Sequence, residues 1–571
     1  MSRLFPTLRG YERPWLRGDL IAGLTVWAVL VPEALAYASI AGVSPVVGLY
    51  AAPGALILYA ALGSSRQLVT GPMAATAALS AATVAELVPV GSDRFVAMTA
   101  ALAITTGLAA LLAGVLRLGF LANFISEPVL KGFIVGLALT ILIGQVPKLL
   151  GISKGTGDFF QQLWHVLAHL GETQGAILLV GALSLAVILA LRRLAPGVPG
   201  SLVAVALGIA AVKLLNLDHH GVAIVGPIKS GLPTLGFPNV GLHDIGGLAA
   251  GGIGVMLVGF AEGLGAAKTY GAREHEEIDA NRELLGLGTA NLAAGFSAGM
   301  VVNGSLSKTA VNASAGARTQ LSGLFVAALT ILTLIALTGL FEDLPEATLA
   351  AVVIAAIVEL VDVPALVELY RAYTKRLGRE FGFAARPDFI AAVAALLGVT
   401  VFDTLPGLFI GIAVSLLLLV YRASRPYVAT LGREPGPDTG SGAVPGRERR
   451  YSDIDRHPEN VVPEHVAVLR VESGLYFANA DPVRNRILAA AMADGITAVV
   501  LDAETIPFID VTSARMLAAL EVQLRERGVR LLIARDVGQV RDVLGSATDD
   551  STLAHVYPSV GAAVEAAQGA S

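Results

Sequence analysis

Lys308 lies in a hydroxyl-rich stretch, residues 299–312, within an otherwise apolar region. An extended run ends there at residues that can each cap a helix: Asn303, Gly304, Ser305 and Ser307. A helix that begins in mid-membrane offers unpaired N–H groups and a partial positive charge, to which Lys308 adds a full charge. This chemistry suits a small anion. The alternative is a re-entrant loop whose lysine reaches the membrane surface, but ionisable residues inside membranes usually mark function.

A second stretch, residues 69–76, has a similar composition. Gly71 and Pro72 suit the first turn of a helix, and small residues follow. Alone, a Gly-Pro pair in an apolar helix indicates a kink. Two broken segments in the two halves of a hydrophobic chain instead predict an inverted-repeat transporter, with substrate held between opposed half-helix N-termini.

The composition is that of a polytopic membrane protein. Of 571 residues, 54% are hydrophobic and 15% are charged, against about a quarter charged in soluble proteins. The chain has no cysteine, so disulfides and thiolate metal sites are excluded. We find no nucleophile–base pair, phosphate-binding loop or metal cluster, and the pair His219-His220 fits a solvated turn. We therefore expect no enzyme activity, no cofactor, no bound metal and no nucleic-acid partner.

The hydrophobic pattern predicts about fourteen membrane segments, at about 20 residues per span. They lie near residues 19–38, 44–62, 71–87, 95–116, 120–148, 175–194, 200–217, 244–268, 281–297, 303–315, 320–341, 345–361, 387–402 and 405–423. An even number places both termini on one side of the membrane. The loops on that side are rich in Lys and Arg, for example Arg66, Arg117 and Arg193, which predicts cytoplasmic termini in the inner (plasma) membrane.

The predicted domain boundaries follow these segments. Residues 1–18 form a basic, interfacial N-terminal segment, predicted to be helical, and residues 19–424 form the membrane domain. Residues 425–463, rich in Pro and Gly, form a linker. Residues 464–571 form a soluble α/β domain, with strands at 466–472, 498–504 and 529–535 and a helix at 512–527.

Several motifs together resemble the sulfate permease (SulP) family of anion transporters. Residues 19–25, 31–38 and 48–50 resemble its first-segment signature, and residues 63–66, 71–72, 305–312 and 315–319 resemble its later motifs. The C-terminal domain resembles a STAS domain. The resemblance covers essentially the whole chain. It implies a seven-plus-seven inverted repeat of the uracil-permease type, a core domain that moves against a gate domain, and a homodimer in the lipid bilayer.

The resemblance also implies which residues line the anion site. They are Glu33, Tyr37, Met73, Ala74, Ala75, Gly304, Ser305, Leu306, Lys308 and Glu262. Glu33 and Tyr37 share one helix face just after Pro32. The chain departs from the family twice, because Glu33 replaces the usual Gln and Lys308 replaces the usual Arg, which loses a bidentate fork for oxyanions.

The segment around Thr512 resembles the phosphorylated segment of anti-sigma factor antagonists, which share the STAS fold. The resemblance makes Thr512 a candidate phosphosite. The alternative, which we favour, is that Asp510 and Thr512 are N-cap residues of the following helix.

These observations predict a secondary transporter of small anions by elevator-like or rocking alternating access. Sulfate is the first candidate, and bicarbonate, a dicarboxylate or a halide remains open. We predict symport with a proton, with Glu262 as the main proton carrier and Glu33 as a modulator, because a carboxylate beside an anion is costly unless it titrates. The alternatives are an anion exchanger, an anion-gated channel or sensor, and a membrane scaffold for the STAS domain.

Overall fold

The structure is a computed structural model. It describes residues 4–120, 126–155, 157–195, 197–228, 230–358, 361–372, 386–402, 404–435, 450–547 and 556–569. The chain folds into two compact units, one that extends to Ser415 and one that begins at Leu416.

The first unit is helical, apart from two short strands. In chain order its elements are α1 (Trp15–Ile40), α2 (Pro45–Leu62), β1 (Val69–Gly71), α3 (Ala74–Ala85), α4 (Asp93–Val115), α5 (Glu127–Leu150), α6 (Phe159–Ala168), α7 (Gly175–Leu194), α8 (Gly200–Leu215), α9 (Leu242–Arg273), α10 (Ala280–Phe296), β2 (Asn303–Ser305), α11 (Leu306–Ser314), α12 (Leu321–Leu332), α13 (Glu346–Val358), α14 (Val363–Arg371), α15 (Pro387–Phe402) and α16 (Thr404–Ala423), which continues into the second unit. Within the described ranges, nine helices are long and apolar enough to cross a membrane.

Each predicted membrane segment corresponds to one of these helices, and the structure adds two short ones, α6 and α14. Both lie between the fifth and sixth predicted segments of their half of the chain, so they occupy equivalent places in the repeat. The search for spans of about 20 residues missed them because they have only 10 and 9 residues. After Leu332, α12 continues as a π-helical turn and a short 3-10 helix.

Two predicted helix starts were wrong. Pro72 does not open α3, because Gly71 ends strand β1 and Met73 is the residue that precedes the helix. Among the described residues 4–14, the N-terminal segment contains a short 3-10 helix at Pro6–Leu8 and no longer helix, and α1 begins at Trp15, before the predicted boundary at residue 18. Pro6, Gly10 and Pro14 explain the absence of a longer N-terminal helix, because proline and glycine interrupt helical hydrogen bonding or geometry.

The membrane helices pack as two groups. Helices α1 to α4 pack against α9, α10 and α12, whereas α5, α7, α8, α13 and α15 pack mainly among themselves. Glycine permits the closest approaches. A Cβ at Gly48 would lie 2.0 Å from the carbonyl oxygen of Ala34, and one at Gly132 would lie 1.9 Å from that of Ala392. Backbones therefore touch directly between helices.

The second unit contains a six-stranded sheet of order β4-β3-β5-β6-β7-β8. Its elements are β3 (Val428–Arg433), β4 (Tyr451–Asp453), β5 (Val466–Val471), α17 (Ala480–Ala491), β6 (Ala498–Asp502), α18 (Val511–Arg525), β7 (Arg530–Ala534), α19 (Gly538–Ala547), β8 (Val556–Tyr557) and α20 (Val560–Gln568). Strands β5 to β8 are parallel, and β3 is antiparallel to both its neighbours. Alternate strand residues pack on α17 to α19 on one face and on α20 on the other.

The predicted linker at residues 425–463 requires correction. It contains β3 and β4, which pair with each other, and β3 also pairs with β5. They were missed because β4 has only three residues, because β3 contains Gly432, and because the pattern of alternating strands and helices starts only at β5. Of the predicted linker, residues 436–449 lie outside the described residues.

We predict that the close contact between Gly132 and the backbone of Ala392 is essential for the stability of the membrane unit. Alanine in an ordinary helix interior stabilises by up to about 1 kcal/mol relative to glycine. Gly132→Ala should instead lower the melting temperature of the detergent-solubilised protein, because the added Cβ meets the backbone of Ala392. Gly246→Ala in α9 is the control, since nothing lies within 4 Å of its added Cβ, and its melting temperature should stay the same or rise. Equal melting temperatures for the two variants would contradict the close contact.

Candidate functional site at the crossing of two half-helices

Strands β1 and β2 bring the starts of two short helices together. They pair antiparallel, with Val69 opposite Ser305 and Gly71 opposite Asn303. Helix α11 follows β2 directly, and α3 follows β1 after two residues. We call β1, β2 and the first turns of α3 and α11 the crossing. Because the strands run in opposite directions, the helices leave in opposite directions and both N-termini remain there.

Lys308 is buried at the crossing and carries an ion pair. Its Nζ atom lies 2.6 Å from Oε2 of Glu33 on α1, and these side chains are only 1% and 10% exposed. The Nζ atom also donates to the carbonyl oxygen of Pro72, at 3.2 Å, and lies 5.1 Å from the centre of the Tyr37 ring. Lys308 therefore points inward, toward α1 and the start of α3, and does not reach for the membrane surface.

The predicted lining residues surround this pair. Ser305 caps α11, because its hydroxyl accepts a hydrogen bond from the backbone N–H of Lys308. Ala74 and Ala75 form the first turn of α3, and both are buried. Met73 is partly buried, Gly304 is buried and Leu306 is exposed. The structure thus brings together Glu33, Tyr37, Lys308 and the two helix starts.

Glu262 on α9 lies beside β2 and interacts with a different residue. Its Oε2 accepts a hydrogen bond of 3.3 Å from the side-chain amide of Asn303. Lys308 and Glu262 were both predicted to line the anion site, but the ion pair of Lys308 is with Glu33. Among the described residues, no ion pair involves Glu262. The two carboxylates near the crossing therefore differ in their partners.

A polar network supports the crossing from outside the strands. Gln320 donates its side-chain amide to the carbonyl oxygens of Ser65 and Leu68. Asn312 donates to the carbonyl oxygen of Gln67. These bonds satisfy backbone groups that the interrupted helices leave unpaired, as a membrane interior requires.

Three further polar residues form hydrogen bonds with the backbone near the crossing. None of them had a role in the sequence-based prediction of the site. Asp19 is fully buried and accepts hydrogen bonds from the backbone of Arg318 and Thr319. Glu283 is also fully buried and accepts hydrogen bonds from the Tyr59 hydroxyl and from Ser64. The third is Asn291, whose side-chain amide donates to the carbonyl oxygen of Val302 and accepts from its backbone N–H. Val302 directly precedes β2. A polar side chain within an apolar segment could have identified each of them.

In the C-terminal unit, Asp510 caps α18. Its carboxylate accepts hydrogen bonds of 2.8 Å from the backbone N–H groups of Ser513 and Phe477. Burial raises the pKa of Asp510, but these hydrogen bonds outweigh burial and the pKa falls below its ordinary value. Thr512 lies exposed in the first turn and does not serve as the N-cap.

Fold and site together define a class of protein: a multi-pass membrane transporter with two half-helices that meet at an ion-pair site and with a C-terminal α/β domain. The sulfate permease family matches residues 16–377, and the STAS domain matches residues 457–563. The chain belongs to the sulfate permease family, whose members are anion transporters and not enzymes. The predicted membership of this family and the expectation of no enzyme activity are confirmed.

Curated relatives match nearly the whole chain. A probable sulfate transporter of Mycobacterium tuberculosis is 36% identical, over 98% of this chain and 96% of the relative. The high affinity sulfate transporter 1 of Stylosanthes hamata is 29% identical, over 94% of this chain and 81% of the relative.

Solved structures share the fold. The murine solute carrier 26 family member A9, an anion transporter captured in the inward-facing state, matches with a TM-score of 0.86 over 99% of this chain and 94% of that chain, at 23% identity. The transmembrane domain of a cyanobacterium bicarbonate transporter matches with a TM-score of 0.61 over 70% of this chain and 98% of that chain, at 23% identity. The predicted fold class is confirmed.

We predict opposite effects for the two members of the ion pair. Lys308→Ala should weaken sulfate binding about 10- to 100-fold, because one hydrogen bond to a charged group contributes about 1.5–3 kcal/mol. Glu33→Gln should strengthen binding, because it removes the carboxylate that occupies Lys308. Isothermal titration of the purified protein with sulfate measures both.

Lys308→Arg is the conservative control and should keep most of the affinity. Because Lys308→Ala leaves Glu33 buried without its partner, the double variant Glu33→Gln/Lys308→Met tests the same point without an unpaired charge. An affinity in that double variant equal to that of Glu33→Gln alone would contradict a role for Lys308 in binding.

Proposed function

We propose that the chain is a secondary active transporter of small anions that works by alternating access. The anion binds between the N-termini of α3 and α11. Sulfate is the first candidate substrate, in line with the names of the relatives, and bicarbonate and dicarboxylates are the others. The proposal extends to an inner-membrane homodimer with both termini in the cytoplasm.

The observation that carries the proposal is the placement of Lys308 at the crossing. Two helix starts contribute partial positive charge at one place, and a buried lysine adds a full charge. Such a place attracts an anion strongly because little solvent screens it. The groups come from different parts of the chain, so a movement of α1 relative to the crossing would change the site.

The ion pair implies that an anion competes with Glu33 for Lys308. If the anion takes the place of Glu33, the carboxylate loses its partner inside the protein. Leaving one member of a buried ion pair without its partner costs about 3–5 kcal/mol. A proton on Glu33 removes this cost, so Glu33 modulates affinity according to pH.

Glu262 is the main proton carrier in this proposal. Glu262 is half-buried, and an ionised carboxylate is costly to bury even in part without a cation beside it, whereas the neutral acid needs only a hydrogen-bond partner. Asn303 provides a partner that suits both forms, because its amide group can donate to the carboxylate or accept from the acid. Since Asn303 belongs to β2, the protonation of Glu262 is connected directly to the anion site.

The C-terminal unit has a separate role in the proposal. It contains its own sheet and hydrophobic clusters, so it can fold as a domain that regulates or assembles the transporter. Exposed Thr512 would be the position for phosphorylation, if that regulation operates here as the STAS resemblance suggests.

Transport assays in proteoliposomes test the coupling. Uptake of radiolabelled sulfate should accelerate with an inward proton gradient. Glu262→Gln should lose that acceleration and still bind sulfate, because the amide cannot titrate. Glu33→Gln should keep a proton response but show a higher affinity. Glu86→Gln, at the exposed end of α3, is the matched control and should behave as the wild type.

Five results would count against the proposal. Acceleration by a sodium gradient at fixed pH, or an intact proton response in Glu262→Gln, would refute proton coupling through Glu262. Uptake that requires a second anion inside the vesicle would identify an exchanger. Sulfate binding with no uptake under any gradient would identify a sensor, and an uptake rate that does not saturate with sulfate would identify a channel.

A further inference from the structure

A basic cavity lies away from the crossing, at the ends of membrane helices. It has a volume of about 620 Å³ and is lined by the end of α2, the end of α4, the start of α10 and the N-terminal segment. Arg9, Arg117 and Arg282 line it, with Asp279 as the acidic residue among its described lining. The charge distribution places Arg117 on the cytoplasmic side, and Arg282 lines the same cavity from the first turn of α10.

The backbone around the cavity is held in place. Arg117 has a φ of 58°, a left-handed conformation that is uncommon for arginine. The turn that contains it is fixed by a hydrogen bond of 2.9 Å from the backbone N–H of Gly119 to the side-chain oxygen of Asn281. Strain of this kind often accompanies a functional constraint. The turn sets Arg117 beside the start of α10.

Arg9 is positioned by a different contact. The backbone N–H of Phe5 donates to the carbonyl oxygen of Ala61, at 2.8 Å, and this bond docks the N-terminal segment on the end of α2. The carboxylate of Asp279 is already used, because it accepts hydrogen bonds from the backbone N–H groups of Asn281 and Arg282. The described lining has three guanidinium groups, from three separate elements, and one carboxylate, so its net charge is positive.

The surface next to the cavity is apolar and faces outward from α4. Leu112, Val115 and Leu116 are 62%, 70% and 58% exposed, and Val115 also lines the cavity. They lie within about one helical turn, at the end of a helix long and apolar enough to cross the membrane. A ligand that fits both features has a phosphate group and an acyl chain. Guanidinium groups bind phosphate through paired hydrogen bonds.

We propose that this cavity binds the phosphate headgroup of an anionic phospholipid from the cytoplasmic leaflet, whose acyl chain lies along the end of α4. Basic pockets between membrane helices on that side are suited to such headgroups. The bound lipid would hold α2, α4 and α10 at a fixed depth in the leaflet. Helices α2 and α4 both pack on α10, in the group that contains the crossing.

Native mass spectrometry of the full-length protein tests the proposal, with phosphatidylglycerol, phosphatidylcholine or glycerol 1-phosphate added. The wild type should retain phosphatidylglycerol in preference to phosphatidylcholine. Arg9→Gln/Arg117→Gln should reduce this retention about tenfold or more, as expected for lost hydrogen bonds between charged groups. Arg193→Gln, an exposed arginine in the last turn of α7, is the matched control and should retain lipid as the wild type does.

The following results would overturn the proposal. Undiminished retention in the double variant, or an equal loss in Arg193→Gln, would overturn the site. Glycerol 1-phosphate that binds as tightly as phosphatidylglycerol would show a site for free phosphate compounds and would overturn the lipid assignment. Unchanged sulfate binding and melting temperature would show that the double variant is folded. If it does not fold, Arg117→Gln alone should show a partial loss, and full retention there would overturn the proposal.

Discussion

A membrane interior requires that every backbone polar group find a partner within the protein, and the two interrupted helices create many such groups. Pairing of β1 with β2 satisfies part of this requirement. Side chains satisfy more of it, through the amides of Gln320 and Asn312. The helix starts can exist at membrane depth only because these contacts fix them together. The proposed anion site is thus a consequence of how these backbone groups are hydrogen-bonded.

Buried charges at and around the crossing are arranged in two ways. Asp19 and Glu283 are held by several hydrogen bonds each, mainly from backbone groups and hydroxyls, which suits a permanent structural role. Lys308 and Glu33 instead hold each other. A pair of this kind can be exchanged, because an anion can replace the carboxylate and a proton can neutralise it. In the proposed mechanism, this difference separates Asp19 and Glu283, which maintain the fold, from Glu33, which gives up its partner to the anion.

Much of the fold could be predicted from the sequence. Apolar segments of sufficient length define helices such as α7 and α15, whose bounds match the predicted ones. Some elements were missed because their sequence signal is weak. Helices α6 and α14 are shorter than a membrane span. Strand β3 lies in a segment whose composition is that of a linker. Pro72 was misplaced because the same Gly-Pro pair fits both a helix start and the end of a strand.

The site could be predicted only in part. Residue types indicated that Lys308 and the two helix starts belong to one site. The partner of Lys308 could not be deduced, because Glu33 and Glu262 are both carboxylates in apolar helices. Only the packing of α1 and α9 around the crossing decides between them. Asn303 was a candidate cap, and its contact with Glu262 depends on that same packing.

The central claim is that an anion replaces Glu33 as the partner of Lys308 between the two helix starts. A crystal structure with selenate, an analogue of sulfate with a strong anomalous signal, tests it most directly. The account predicts an anomalous peak beside Lys308 Nζ, between residues 73–75 and 304–306, with the distance from Nζ to the Glu33 carboxylate increased beyond 2.6 Å. A peak elsewhere, with the ion pair intact in the presence of saturating selenate, would contradict it.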